Sequence, residues 1–423
     1  MAEGDRSTDP KAMLPVPSGN VAILFTQFGP YHHARVRAFQ NALPGHVIPA
    51  QIAMHSSTYA WTINQQVCDG LVTLCRGNAE DASPASVFVA ACRFFKREKI
   101  RFAFLPSYSP ASVFALYLAA IACGCRRIMM NESHAGTERA TGWKRKLKQM
   151  IVRQFHAALV GGSPQRRHFH SLGIPEEKIF LGYDAIDNEY FSDAAALARS
   201  NGTSRRMELG LPDRYFLNLG RFVEKKDLGT LIRAYALFRQ RSTEPVELVL
   251  VGSGAQEEEL RKLARSLGLT IRGPADNEPV SEIAKINHPH PDSTRLSVPA
   301  VYFMGFQQIS ANPSFYALAD AFILPSVVEE WGLVVNEAMA CGLPVVVSRV
   351  VGSAEDLVHE RVNGFLFDPG DEEALAECLM QLADDLKLRD SMSAASIDII
   401  ADWGCDRFAD GAMHTIATAD EMT

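Results

Sequence analysis

Residues 21–26 open on an unbroken apolar run, Val-Ala-Ile-Leu-Phe before Thr26, which reads as a buried strand. The turn Gln27-Phe-Gly-Pro30 follows, and 31–41 carries helical spacing. Helical stretches near 85–97 and 110–122 then alternate with apolar runs near 101–105 and 126–130. A further helix near 138–155 leads into a strand at 157–160. Apolar runs separated by helices predict a parallel sheet covered on both faces. A second series begins at 215–219 and continues through 247–251, a strand near 302–304, 321–324 and 345–347. The chain is therefore α/β, in two similar halves. The polar segment 187–213, with Asn201-Gly202 in it, reads as the hinge between them. The expected organisation is a disordered tail over 1–18, a first domain over 19–195 and a second over 196–400. A C-terminal helix over 401–423 is expected to pack back toward the first domain. Residues 276–299 interrupt the second half with several prolines and Asn287-His-Pro-His-Pro291, the composition of a surface insertion.

Composition narrows the function classes. The 423 residues are 47% hydrophobic and 22% charged, which is a globular balance. A formal net charge of -7 argues against a dedicated nucleic-acid binder. Most of the eight cysteines sit inside apolar runs and no CxxC pair occurs, so the reading is a reduced, cytoplasmic setting without a zinc site. His288 and His290 read as loop histidines rather than metal ligands, since no cysteine or helical partner accompanies them. Residues 1–18 lack the apolar core of a secretory signal, and the longest apolar stretch, 111–123, is too short to span a bilayer.

The chemistry concentrates in Pro325-Ser-Val-Val-Glu-Glu-Trp-Gly-Leu-Val-Val-Asn-Glu-Ala-Met-Ala-Cys-Gly-Leu-Pro-Val-Val-Val347. A strand over 321–324 ends at Pro325, a turn follows, and a helix runs from about 332 to 341. Glu329 lies in the turn and Glu337 in the helix. The free amides at the helix start, near Trp331 to Val334, favour an anion. Carboxylates that accept from sugar hydroxyls, beside amides that hold a diphosphate, suit a nucleotide sugar. Upstream, Gly220-Arg-Phe-Val-Glu-Lys-Lys-Asp-Leu228 follows a strand. Arg221 and Lys226 are spaced to clamp a diphosphate, with Lys225 as a solvated neighbour.

The 329–344 run resembles the donor-binding signature of the retaining glycosyltransferases of family 4, which have the two-domain GT-B fold. Glu329, Trp331, Gly332, Leu333, Val334, Glu337, Ala338, Met339, Ala340, Gly342 and Pro344 carry the match. The resemblance is dense from about 215 to 368 and thin in the N-terminal half. It implies two Rossmann-like parallel-sheet domains facing a cleft. It implies that Arg221 and Lys226 bind the donor phosphates, that Glu329 holds sugar hydroxyls and that Glu337 holds the ribose. The amides of Gly332, Leu333 and Val334 would complete the phosphate site. The glycine turn at Leu248-Val-Leu-Val-Gly-Ser-Gly254 would line the nucleotide pocket through Gly252. Glu257 stands where a dinucleotide fingerprint needs its third glycine, which disfavours hydride chemistry. Gly220 and the segment Gly305-Phe306-Gln307 would complete the nucleotide side, with Phe306 beside the base.

In the first half, Asn131-Glu-Ser-His134 follows a strand, where members of the family place a histidine toward the reacting sugar; His134 is the match. Many relatives carry a paired-glycine loop at the place of Gly29-Pro-Tyr-His-His-Ala-Arg35. Here only Gly29 is present, and His32, His33 and Arg35 are open to donor, acceptor or helix-start roles. From Arg139 to Pro175 there are basic residues and no acid. Within that stretch Trp143, Leu147, Met150, Ile151 and Phe155 follow helical spacing, with Lys144, Arg145, Lys146 and Lys148 mostly off the apolar face. This face is open to two readings, a solvated surface or a dock on anionic lipid over 143–155.

The expectation is a retaining hexosyltransferase that moves a sugar from a nucleoside-diphosphate donor, a UDP-sugar in the first instance, to a saccharide or lipid-linked acceptor. Its implied setting is polysaccharide biosynthesis. His134, Glu329, Arg221 and Lys226 would carry transfer. Neither cofactor nor metal is expected, because the cations and amides stand where an ion would act. The alternatives are a sugar-nucleotide-binding protein without transfer activity and a GT-B epimerase. The two placements left open are free in the cytoplasm and peripheral on the inner face of a membrane.

Overall fold

The computed structural model describes residues 18–55, 70–274 and 298–421. The tail up to 17, and 276–297 of the insertion with His288 and His290, lie outside the described residues. The first seven strands are β1 (Asn20–Phe25), β2 (Val47–Gln51), β3 (Val72–Thr73), β4 (Ile100–Leu105), β5 (Arg126–Asn131), β6 (Ala157–Val160) and β7 (Ile179–Leu181). They form one parallel sheet in the order β3-β2-β1-β4-β5-β6-β7. A second parallel sheet holds β8 (Tyr215–Leu219), β9 (Glu247–Val251), β10 (Thr270–Arg272), β11 (Ala300–Phe303), β12 (Ala321–Leu324), β13 (Val345–Ser348) and β14 (Gly364–Phe367). Its order is β10-β11-β9-β8-β12-β13-β14.

Both sheets are apolar on both faces, which explains the unbroken runs. Along β1, Ala22 and Leu24 enter one core while Val21, Ile23 and Phe25 enter the other. Along β8, Phe216 goes to one side and Tyr215 and Leu217 to the opposite one. The winding reverses between β1 and β4 in the first sheet and between β8 and β12 in the second. Loops leaving such neighbours diverge, and a crevice opens at the strand carboxyl ends.

The segment expected to be a polar hinge is helical. Asp187 accepts a hydrogen bond from the Tyr190 amide at 3.0 Å and caps the helix Asn188–Ser200. Phe191, Ala195 and Ala198 are buried in the core of the second sheet. A second helix, Gly202–Leu209, ends at Gly210. Polar side chains dominate the segment because only one stripe of it is covered.

The last helix, Cys405–Asp420, lies on the first sheet, where Phe408, Ala412, Ile416 and Ala419 share a core with Val21, Phe39 and Phe102. The basic helix is shorter than expected, Gly142–Val152, and its apolar stripe divides. Phe155 beyond it is buried and Ile151 half-buried, while Trp143, Leu147 and Met150 face outward. No helix among the described residues is long and apolar enough to cross a membrane.

Candidate functional site

The turn between β12 and the helix Leu333–Ala340 is the centre of the site. Gly332 caps that helix with φ 92°, a left-handed conformation that favours glycine. A Cβ there would also crowd Leu324 and Val351 at 3.1 and 3.2 Å. The turn is held from below by the Gly352 amide, which donates to the Glu329 carbonyl at 3.2 Å, and by Ser353, which donates to the Trp331 carbonyl at 3.1 Å. The amides of Leu333 and Val334 have no backbone acceptor among the described residues, as a helix start requires.

Lys226 donates to the Glu329 carboxylate, and Ser326 adds a hydroxyl donor at 3.3 Å. The two partners are each 11% exposed, so the pair is largely shielded from water. Lys225, expected to be solvated, instead pairs with Glu330 at 2.7 Å. The backbone turn at 224–226 projects successive lysines to successive glutamates of the facing turn. Arg221 is exposed and makes no side-chain hydrogen bond or ion pair among the described residues.

Two cavities meet at Arg221. One, of about 160 Å³, is lined by Gly220, Arg221, Gly252, Phe306, Asn312 and Tyr31. Gly252 is a glycine for packing reasons: a Cβ there would stand 1.8 Å from the Gly220 carbonyl, where the ends of β8 and β9 converge. The other cavity, of about 460 Å³, opens between the domains and is lined by Ser107, Asn131, Glu132, Arg221, Lys225 and Glu329, among others. A further cavity, of about 810 Å³, lies beside the helices Pro30–Ala42 and Cys405–Asp420 and holds none of these groups.

Besides Gly332, Leu333 and Val334 at the helix start, three expected residues do not line these cavities. Lys226 stands behind Glu329. Glu337 is fully buried. Its carboxylate accepts from the Tyr31 hydroxyl, which reaches across from the first domain, and from Asn312 at 3.4 Å. Burial pushes the Glu337 carboxyl up to about 7, although hydrogen bonds from Tyr31 and Asn312 oppose the shift. Burial and the Glu337 charge likewise push the Tyr31 phenol well up, so it remains a donor.

His134 is the third. Its Nδ1 accepts from the Gly136 amide at 3.2 Å, so Nε2 carries the proton and donates to the Glu329 carbonyl at 2.9 Å. The imidazole therefore spans the cleft to the turn itself, not to open space.

The site also contains groups that the sequence did not single out. Glu132 is exposed and lines the larger cavity. Its carboxyl and that of Asp184 are both pushed up, by desolvation first and, for Glu132, by the charges of Asp184 and Glu330. Glu132 is two residues from His134 in the same motif, a signal that was available. Tyr31 and Gln165 carried none, because each acts on a partner more than 150 residues away.

Comparison with known proteins follows this geometry. Residues 204–272 and 295–398 match the family described as glycosyl transferases group 1. Over 245 residues the chain is 31% identical to a D-inositol 3-phosphate glycosyltransferase of Salinispora arenicola, covering 55% of this chain and 48% of that protein. Over 251 residues it is 28% identical to an uncharacterized glycosyltransferase of Methanocaldococcus jannaschii, covering 59% and 56%. The chain thus spans about half the length of the curated relatives it matches. The crystal structure of Anabaena HepE in complex with UDP and glucose superposes with a TM-score of 0.66 at 17% identity, covering 93% of this chain and 98% of that one. A glycosyltransferase from Rickettsia africae gives 0.70 at 14% identity, covering 96% and 100%. These likenesses show the fold, the two facing parallel-sheet domains of GT-B.

Proposed function

We propose, from a C-terminal domain that belongs to the group 1 glycosyl transferases, that this protein is a retaining transferase. It moves a sugar from a UDP-sugar to a hydroxyl of a saccharide or lipid-linked acceptor, without a divalent metal. The observation that carries this reading is the turn at 329–334. There a lysine-paired carboxylate and an unpaired arginine line one cavity, next to a helix start whose first amides have no backbone acceptor among the described residues. UDP in the complex of the similarly folded HepE supports the choice of nucleotide.

In this reading the diphosphate lies against Arg221 and the amides of Leu333 and Val334, and the base lies near Phe306. Charge that develops on the leaving phosphate meets fixed donors, which need no reorganisation as the bond breaks. The acceptor hydroxyl approaches from the larger cavity on the same face, and its proton passes to the departing phosphate oxygen. Glu329 holds donor hydroxyls. Ribose hydroxyls reach Glu337 by taking the place of the Tyr31 phenol.

The test is incubation with a panel of UDP-sugars and saccharide acceptors in excess EDTA, with the product anomer assigned by NMR. Product of retained configuration at an undiminished rate is expected. An inverted product, or a rate lost to EDTA and restored by Mg²⁺ or Mn²⁺, contradicts the reading. UDP binding without product would leave a binding protein.

We further propose that the helix Gly142–Val152 docks on an anionic membrane surface. Trp143, Leu147 and Met150 fall at i, i+4 and i+7, and are 70%, 48% and 65% exposed. Lys144, Lys146 and Arg153 are exposed around them. Lys148 is not part of this face, since it turns inward to Glu138 at 2.6 Å. It lies over Tyr108, beside the Ser107 wall of the larger cavity, so a docked helix would bring that cavity to the lipid surface. Each basic residue near such a surface contributes about 1 kcal/mol, screened by salt. Co-sedimentation with phosphatidylglycerol vesicles but not phosphatidylcholine vesicles is expected, reversed by high salt and weakened by Trp143→Ser with Lys144→Glu. Equal binding to both vesicles, or to neither, removes the membrane from the reading.

A further inference from the structure

One side chain joins the two loops that carry His134 and Glu329. Gln165 lies in the helix Ser163–Ser171 of the first domain and is fully buried. Its Nε2 donates to the Glu330 carbonyl at 2.8 Å and to the Glu132 carbonyl at 3.2 Å. Its Oε1 accepts from the Gly162 amide at 3.0 Å. Two acceptors on one side and a donor on the other fix the orientation of the amide. Glu330 follows Glu329 in the donor turn, and Glu132 precedes His134 by two residues. Neither carbonyl receives another hydrogen bond among the described residues.

The contact is built from both sides. Asp356 of the second domain accepts from the Ser163 amide at 2.8 Å and the Ser163 hydroxyl at 2.6 Å, and so holds the first turn of the helix that bears Gln165. Gly161 and Gly162 leave room for Trp331, whose ring would lie 2.8 and 2.7 Å from a Cβ at either position. The Gln165 helix, the His134 loop and the Glu329 turn are therefore packed as one unit across the cleft.

We infer that Gln165 is a positioning residue, which sets the His134 loop and the Glu329 turn in register when the cleft is closed. The inference rests on the proposed transferase reading for its consequence in turnover, but not for its consequence in structure. An amide is suited to the task because it carries two donors on one planar atom, and each bridged carbonyl belongs to a different domain. Without it, two buried carbonyls lose their donor and the loops separate. Gln165 touches neither the donor pocket nor Arg221, so nucleotide binding is not its business.

The test uses the full chain with Gln165→Met, which keeps length and volume and removes the donors. Two readouts are taken. In the ligand-free protein, hydrogen exchange should accelerate tenfold or more at 131–137 and 329–334, with the strands of both sheets unchanged. In transfer assays, kcat should fall tenfold or more with the Kd for UDP within twofold. On a His134→Ala background the same substitution should cost less than threefold, because the loop that it holds no longer carries the imidazole. Unchanged exchange in the two segments overturns the inference. So does a full loss on both backgrounds, or a fall in UDP affinity that parallels the fall in kcat. A wild-type protein that transfers no sugar defeats the transferase reading, and the exchange result then decides the Gln165 inference alone. Should Gln165→Met fold poorly, Gln165→Glu keeps the shape, loses the donors and is read in the same way.

Discussion

Glu329→Gln should lower kcat for sugar transfer by about 10²–10³-fold, or about 3–4 kcal/mol of transition-state stabilisation, while UDP affinity changes little. Two effects act in the same direction. The substitution removes the acceptor that would hold donor hydroxyls. It also leaves the Lys226 ammonium, shielded from water, without its counter-charge. Removing one partner of a shielded pair costs more than the pair is worth intact. The neighbouring carboxylate supplies the control. Glu330 pairs with Lys225 at 2.7 Å, but those side chains are 36% and 29% exposed. A pair in contact with water is worth about 0–1 kcal/mol, so Glu330→Gln should change kcat less than about threefold. Its backbone carbonyl, the group that Gln165 holds, is unaffected by the change. Steady-state kinetics on both variants, with UDP titration calorimetry, gives the comparison. Equal losses in the two variants would show that the turn tolerates either charge and would remove Glu329 from a special role.

The second large effect is on stability, and its sign follows from Glu337. In the fold this carboxyl titrates at about 7, against an ordinary value of 4.5. Between those values the folded protein retains a proton that the unfolded chain has released. Folding is then linked to proton uptake, and stability falls as pH rises through the window from about 4.5 to about 7. Above it, the full penalty of burying the ionised carboxylate is present, about 3 kcal/mol from the size of the shift.

Glu337→Gln removes the titration while keeping an oxygen to accept from Tyr31. Its amide can donate to Asn312 Oδ1, which is buried without a partner. Urea denaturation should therefore show the variant close to wild type near pH 4.5 and more stable by about 2–3 kcal/mol at pH 8. Glu132 and Asp184 also titrate high, but they do so in both proteins and cancel in the difference. Parallel stability profiles across this range would mean that Glu337 is not ionised against burial in the fold. The same substitution should weaken UDP binding if ribose hydroxyls take the place of the Tyr31 phenol, so its gain in stability and its loss in affinity come from one group.

The strands were legible because their chemistry is local. The runs at 157–160, 215–219, 247–251 and 321–324, apolar except for Asn218 and Glu247, coincide with β6, β8, β9 and β12, since a strand buried on both faces has few polar positions to interrupt it. The turn at 325–332 was legible for the same reason: Pro325, Gly332, Gly342 and Pro344 punctuate a strand, a turn and a helix within twenty residues. Short strands such as β3 and β10 carried too few residues to show a pattern. The helix Asn188–Ser200 was read as a hinge because a single apolar stripe among polar residues does not reveal whether a core waits to receive it.

What the sequence could not contain was the identity of each partner across the cleft. Composition and spacing put Lys225 and Lys226 side by side, but only the facing turn assigns one to Glu330 and the other to Glu329. The bonds of Tyr31 to Glu337, His134 to the Glu329 carbonyl, and Gln165 to two loops join positions up to 306 residues apart. Those distances along the chain carry no periodicity. The sequence alone thus determined the alternation of strands and helices and the residue types at the turn 329–334, because backbone propensity and burial act between near neighbours. The tertiary structure decided which charges are paired, which carboxyls are buried and which loops are clamped, because these depend on how two separately folded sheets meet.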